Sequence, residues 1–165
     1  MATLLQPQDI MFTAFEPKLK NRYFMELDGI AAYVVKTAKR PALESETIEL
    51  EHMNTTRYVK GKTRWQPLDI TLYDPIDPSA AQQVMEWIRL SHESVTGRDG
   101  YSDFYKKDVV INVLGPVGDK VEEWTGKGAF ITEADFGATE LDWAGGTDPV
   151  DIALTIQCDY WILQF

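Results

Sequence analysis

The side chains available for chemistry are few: two histidines, one cysteine and 26 carboxylates in 165 residues. His52 and His92 lie in separate stretches, without the His-x-x-x-His spacing that sets two imidazoles around a metal on one helix face. Cys158 with either histidine lacks any local signature of a nucleophile. In its alternating apolar run it reads as a small buried hydrophobe. Any two of so many carboxylates could be drawn as an acid/base couple, so their abundance assigns nothing. Asp74, Asp77 and Asp99 do not have the spacing of a calcium loop. Gly126-Lys127-Gly128 is too short to cradle a phosphate, and neither a GxxxxGK(S/T) loop nor a GxGxxG turn occurs. The expectation is a protein that is not an enzyme and uses no cofactor or metal.

The charge balance points the same way. With 16 Lys and Arg against 26 Asp and Glu the net charge is −10, the wrong sign for a surface that replaces the counterions of nucleic acid. An apolar fraction of 44% in a chain of this length is enough for one folded domain with its own core. The lone cysteine excludes an internal disulfide framework. No run approaches the ~20 apolar residues that span a bilayer, and the N-terminus lacks a signal pattern. A soluble chain in a reducing cytoplasm is expected.

The elements that must carry any function are mostly strands. The last stretch, Asp151 to Phe165, alternates: Ile152, Leu154, Ile156, Cys158 and Tyr160 fall on one face, Ala153, Thr155, Gln157, Asp159 and Trp161 on the other. A chain end this apolar is tied into a sheet or covered by a partner. Earlier, Asp28-Gly29 between Arg22–Leu27 and Ile30–Thr37 predicts a two-residue hairpin turn. Ile48 and Leu50 oppose Thr47, Glu49 and Glu51 in a further strand. Residues 52–64 read as a polar loop carrying Arg57, Lys60, Lys62 and Arg64, either solvated or an electrostatic contact. Leu68, Ile70 and Leu72 alternate in the next strand.

One helix stands out, over residues 79–93. Ser79 is its cap, Gln82 the capping-box partner, and Ala81, Val84, Met85 and Ile88 form a stripe widened by Trp87 and Leu90. Val109 to Leu114 and Val121 to Ala134 form a second hairpin, with a bulge or bend expected at Gly126 and Gly128. Residues 135–149 are acidic and glycine-rich, with a short strand possible around Leu141 to Trp143.

Residues 1–20 follow neither period. They form a tail or an arm that buries Leu4, Leu5, Ile10, Met11 and Phe12 on something else, and the arm is the favoured reading; residues 21–165 form the domain. No Lys or Arg follows Lys127, whereas Glu133, Asp135, Glu140, Asp142, Asp148, Asp151 and Asp159 do. The basic residues at positions 36–64 either neutralise these acids within one copy or meet those of another.

From residue 20 onward the order of these features resembles the tail tube proteins of contractile-tailed, T4-like phages, a family related to the tubes of contractile injection systems. The residues that carry the resemblance are Asn21 to Gly29, Trp65 with Leu68 to Leu72, the helix bearing Trp87, and Leu154 to Trp161 with its Asp-Tyr-Trp ending. The chain departs from the family at Arg40-Pro41, at Lys60-Gly61 and in its last three residues. The resemblance implies a mainly β fold: an antiparallel β-sandwich or barrel of two sheets with one flanking helix. It further implies six-membered rings stacked into a hollow tube that conducts DNA without binding it specifically. The implied partners are further copies of the chain and the sheath, baseplate and tail terminator proteins, in a virion tail assembled in the host cytoplasm.

On this reading the contacts between subunits and rings involve Leu4, Leu5, Ile10, Met11, Phe12, Arg57, Lys60, Lys62, Arg64, Trp161 and Phe165. Glu49, Glu51, Thr155, Gln157 and Asp159 face the lumen, or are ordinary solvated strand surface. Two alternatives remain: the inner tube of a type VI secretion or extracellular injection system, and, in a different class, a monomeric β-barrel for a small ligand. Deleting residues 1–15 should leave the β-type circular dichroism intact while impairing ring stacking; a lost β signal would mean that the arm belongs to the core.

Overall fold

The computed structural model describes residues 16–164, which form eleven strands and one long helix. The fold is mainly β, with antiparallel sheets and one main helix. Strand β1 (Tyr23–Leu27) pairs with β8 (Lys107–Leu114), and β8 with β9 (Lys120–Asp135). The first half of β9 also pairs with β11 (Tyr160–Gln164). The second half pairs instead with β10 (Asp151–Gln157), which pairs with β5 (Leu68–Tyr73), which pairs with β2 (Val35–Ala38). Two sheets therefore share one long bent strand. The first runs β1-β8-β9-β11 and the second β9-β10-β5-β2.

The period of two decides what lies between the sheets. Met25, Leu27, Val109 and Ile111 from the first join Leu68, Ile70, Leu72, Ile152, Leu154 and Ile156 from the second in one buried cluster. Each such side chain contributes about 1.5–3 kcal/mol when fully removed from water. Helix α1 (Ala80–Ser91) adds Ala80, Val84 and Trp87 to that cluster. Its start is held as the sequence predicts, by Ser79 Oγ accepting from the Gln82 N–H at 3.5 Å. Asp74 Oδ1 accepts from the Ala80 and Ala81 N–H groups as well, at 3.1 and 3.3 Å. Beyond α1 lie a two-stranded ribbon, β6 (His92–Glu93) with β7 (Arg98–Asp99), and a single helical turn, α2 (Ser102–Tyr105). The Trp87 indole N–H donates to the Tyr105 carbonyl at 2.7 Å, which anchors that turn to the helix.

Four sequence expectations need correction. Asp28-Gly29 does turn the chain, with Gly29 at φ +86° and the Ile30 N–H bonded to the Leu27 carbonyl at 3.0 Å. Its flanks do not pair as a hairpin, however. A 3₁₀ turn at Ala32–Val34 intervenes, and β1 and β2 go to different sheets. Local turn chemistry fixes the reversal, while burial against β8 and β5 chooses the partners. Second, residues 52–64 are not a loop. β3 (Leu43–His52) and β4 (Thr55–Trp65) form a long ribbon of their own, turned at Met53-Asn54. Its charges hid the strand, because both faces of the ribbon are exposed and no apolar alternation was required. Third, no strand forms around Leu141 to Trp143; residues 136–150 are turns and irregular backbone.

Fourth, the closing stretch is two strands. The chain leaves the second sheet after Gln157, passes through Cys158 and Asp159, and enters the first at Tyr160. Ile152, Leu154, Ile156 and Cys158 are buried as expected, but the crossing shifts the phase, so Tyr160 is exposed and Trp161 is buried at 6% exposure. Trp161 therefore belongs to the core of its own chain and not to a neighbour.

The crossing rests on the bend that the two glycines predict. Between Lys107 and Val109 the β8–β9 register slips by one residue, with Gly128 at φ +65°. Trp161 lies across Gly126, where an added Cβ would stand 2.9 Å from the ring and 3.0 Å from Cys158 Sγ. Trp161→Ala should lower the unfolding free energy in urea by about 3–5 kcal/mol, and Gly126→Ala by about 1–3 kcal/mol. A Trp161→Ala loss within about 0.5 kcal/mol, as for a surface change, would place the ring outside the core.

Candidate assembly surfaces

The residues with catalytic potential are not brought together. His52 ends β3 in an exposed position, His92 Nδ1 pairs with Asp99 Oδ1 at 2.7 Å on the surface, and Cys158 is buried. Burial first, and then the neighbouring Asp159 carboxylate, push the Cys158 thiol up to about 12, which leaves it protonated and unreactive at neutral pH. Among the described residues no group of His, Cys, Asp and Glu could hold a metal.

The structure instead presents surfaces. On the second sheet, alternation that buries Ile152, Leu154 and Ile156 turns Asp151, Ala153, Thr155 and Gln157 outward. The register sets Tyr73, Thr71 and Asp69 of β5 and Asp135 and Glu133 of β9 beside them. Thr155 Oγ1 donates to Asp69 Oδ1 at 3.3 Å, and Thr132 Oγ1 to the Thr155 carbonyl at 3.0 Å. Lys36 reaches Asp151 at 2.5 Å and lies 5.0 Å from the centre of the Tyr73 ring, while Lys39 pairs with Asp69. The Lys39 hydrogen bond holds the Asp69 carboxyl below its ordinary range, and the Asp151 bond holds Lys36 above its own. Four carboxylates against two ammonium groups leave this face acidic. Thr155 and Gln157 lie on it. Asp159 does not: it sits in the crossing, pairs with Lys106 at 2.7 Å and lies against Gly128.

The two edges of this sheet differ in charge. β2 is one edge, continued by Lys39 and Arg40; the far end of β9, with Glu133 and Asp135, is the other. Counting across, β9, β10, β5 and β2 are four strands, each antiparallel to the next. Two edges of opposite strand direction, one rich in basic and one in acidic residues, thus stand on one body without a strand partner among the described residues.

The β3–β4 ribbon prolongs the β2–β5 pair outward. Its base is fixed by the Gln66 N–H donating to the Ala42 carbonyl at 2.9 Å and by Gln157 Nε2 donating to the Trp65 carbonyl at 3.2 Å. The predicted cations Arg57, Lys60, Lys62 and Arg64 all lie on β4, and the acids Glu44, Glu46, Glu49 and Glu51 on β3. The register matches only Glu44 with Arg64. Glu49 faces Tyr58, Glu51 faces Thr56, Lys60 faces Thr47 and Arg57 faces Leu50. Only Arg64 finds an acid among the described residues, Glu46 at 3.5 Å. By register Glu49 and Glu51 share the ribbon face of Trp65, which packs on the core, so they are not on the face of Thr155 and Gln157. Leu4, Leu5, Ile10, Met11, Phe12 and Phe165 lie outside the described residues.

A groove of about 720 Å³ separates β1 from β2, where the two sheets part. Lys18, Lys20, Arg22, Lys36, Lys39 and Arg40 line it. At one end the Tyr23 hydroxyl donates across it to the Lys36 carbonyl at 2.6 Å. Glu122, nearly buried, takes Lys18 from one lip and Arg40, at 3.6 Å, from the other, and accepts from the Trp124 indole N–H. Burial alone would raise the Glu122 pKa; the Lys18 and Trp124 hydrogen bonds and the Lys18 and Arg40 charges outweigh it, so the net shift is downward. Sequence reasoning missed this clasp, since nothing near Glu122 marks it as buried.

No family model and no curated protein matches the chain. Solved structures match its fold. A chain in the sheath/tube terminator of a PVC extracellular contractile injection system in the extended state aligns with TM-score 0.73 and 17% identity, over 93% of this chain and 100% of its own. One in the tube-terminating cap of the anti-feeding prophage gives 0.69 and 20%, over 93% and 95%. One in the PVC sheath-tube complex gives 0.60 and 18%, over 98% and 99%. At these identities the likeness is one of fold. The class so defined is the tube-like β-sandwich with a flanking helix.

The Glu122 clasp yields a pH test. A carboxylate with a lowered folded-state pKa stabilises fully above its unfolded value, here near 4.5, and that contribution is lost as pH falls through the folded value. Glu122→Gln should therefore flatten the acid limb of stability below about pH 4.5, read from urea midpoints. An unchanged acid limb would mean that Glu122 titrates as a free side chain.

Proposed function

We propose that this chain is the structural subunit of a phage tail tube, assembling into stacked, six-membered rings around a hollow channel for DNA. The observation that carries this reading is the second sheet: four antiparallel strands, an acidic polar face, and open edges of opposite charge. An even strand number lets β2 of one copy lie antiparallel beside the end of β9 of the next, so the alternation continues without a break. Closing such a sheet into a ring removes every exposed edge. The β2 edge, whose Lys36, Lys39 and Arg40 are ion-paired to Asp151, Asp69 and Glu122 of their own chain, then lies beside the stretch of β9 that carries Glu133 and Asp135. The face bearing Asp69, Thr155 and Gln157 turns to the lumen, where its sign repels passing DNA. Sheath, baseplate and tail terminator proteins are the partners this reading entails, and the virion tail is its location.

The fold likeness supports a tube-related structural role, because the matched chains come from assemblies described as a tube terminator, a terminating cap and a sheath-tube complex. The two PVC assemblies are extracellular contractile injection systems, which favours a second reading, an injection tube passing protein. A small-ligand barrel is disfavoured because the centre between the sheets is occupied by buried side chains, and the groove between β1 and β2 lies at the parting of the sheets, lined largely by Lys and Arg.

Negative-stain microscopy of the purified protein at rising concentration should show rings or tubes. A monodisperse monomer at high concentration would count decisively against both tube readings. If tubes form, reversing Lys36, Lys39 and Arg40 to Glu should abolish them, and unchanged tube yield would rule out the β2–β9 edge pairing.

A further inference from the structure

Two surfaces of this chain are unsatisfied in complementary ways. The first is the ribbon face opposite Trp65. Ile48, Leu50 and Val59 lie together there by register, yet each remains about half exposed, at 51%, 52% and 48%. Arg57 is on the same face, opposite Leu50, and has no acid partner among the described residues. The second is the loop over residues 136–150. Leu141 and Trp143 project from it at 86% and 107% exposure, among Glu140, Asp142 and Asp148. Around Leu50 the ribbon face is aliphatic with a cation, its acids Glu44 and Glu46 lying toward the base beside Arg64; the loop is aromatic with anions.

We infer that the ribbon face of one copy docks on the 136–150 loop of a second copy, with Trp143 against Leu50 and Val59 and its ring beside the Arg57 guanidinium. This rests on the reading of the chain as a self-assembling subunit and names the contact that joins one copy to the next. A second copy is the occupant because each patch has the charge and apolar character that the other lacks. An aromatic ring and an arginine, buried together at a patch centre, form the pairing that dominates interface energies. The contact is not made within one chain. Ten residues of β3 at about 3.3–3.4 Å each carry the ribbon tip roughly 33 Å outward. Its hydrogen bonds to the body are confined to the base. Donor and acceptor are different surfaces, so the interface is head-to-tail and propagates or closes a ring, instead of ending at a dimer. It also accounts for Arg57, which has no acid opposite it on its own ribbon.

Disulfide trapping tests this in the full chain. Leu50→Cys and Leu141→Cys are made in separate proteins, with Trp143 kept. Cys158 stays as it is, being buried with a thiol pushed up to about 12. Under mild oxidation the mixture should give a linked dimer that neither variant gives alone, and a chain carrying both substitutions should give a ladder. In parallel, Arg57→Glu and Asp142→Arg should each raise the concentration for half-assembly roughly tenfold, and together restore it. A mixture without a linked dimer overturns the inference, as does a doubly substituted chain that links only to itself. If the unsubstituted protein forms tubes while the mixture does not cross-link, the tube reading stands and this contact alone falls. If the mixture links but no rings or tubes form, the contact stands and the tube reading falls.

Discussion

The close approach of the Trp161 ring to Gly126 is the constraint on which the architecture depends. β9 must serve two sheets, and it does so by bending where Gly126 and Gly128 remove side chains from the path of Trp161 and Asp159. The last segment can then leave the second sheet after Gln157 and join the first at Tyr160. A side chain at Gly126 would push the indole outward and leave the cluster around Cys158 open to water. The sandwich, its acidic face and the direction of its edges all follow from that one bend.

What the fold leaves unsatisfied is as informative as what it buries. The core is complete within one chain, with Trp161 among its members. The edges of the second sheet, the β3–β4 ribbon and the 136–150 loop are not complete. Each exposes backbone or apolar groups that none of the described residues covers. Surfaces so arranged favour copies that meet head to tail in a fixed orientation over random aggregation. The basic groove behaves differently, because Glu122 and Tyr23 already bind its lips together.

Much of this was legible in the residue order. Alternation in Leu68 to Leu72 and Ile152 to Cys158, the Ser79 cap and the glycine bend all appear where the sequence places them, because each is a local preference that burial reinforces. The β4 half of the ribbon escaped notice because Arg57, Lys60 and Lys62 suggest a loop when a strand is exposed on both faces. The helix stripe was shifted: Ala80, Val84 and Trp87 are its buried line, since the body lies against that side. Glu122 gave no signal, as its partners are brought from distant parts of the chain.

The sequence by itself determined the class of fold and the acidic bias beyond Lys127. These depend on composition and short-range periodicity. The tertiary structure alone decided that Asp28-Gly29 does not join paired strands, that the closing stretch divides at Cys158-Asp159, and that Trp161 turns inward. The reason is physical. A period of two states which residues share a face, but pairing is settled by the burial available between strands far apart in the chain. A phase shift of one residue at a crossing then exchanges the buried and the exposed aromatic.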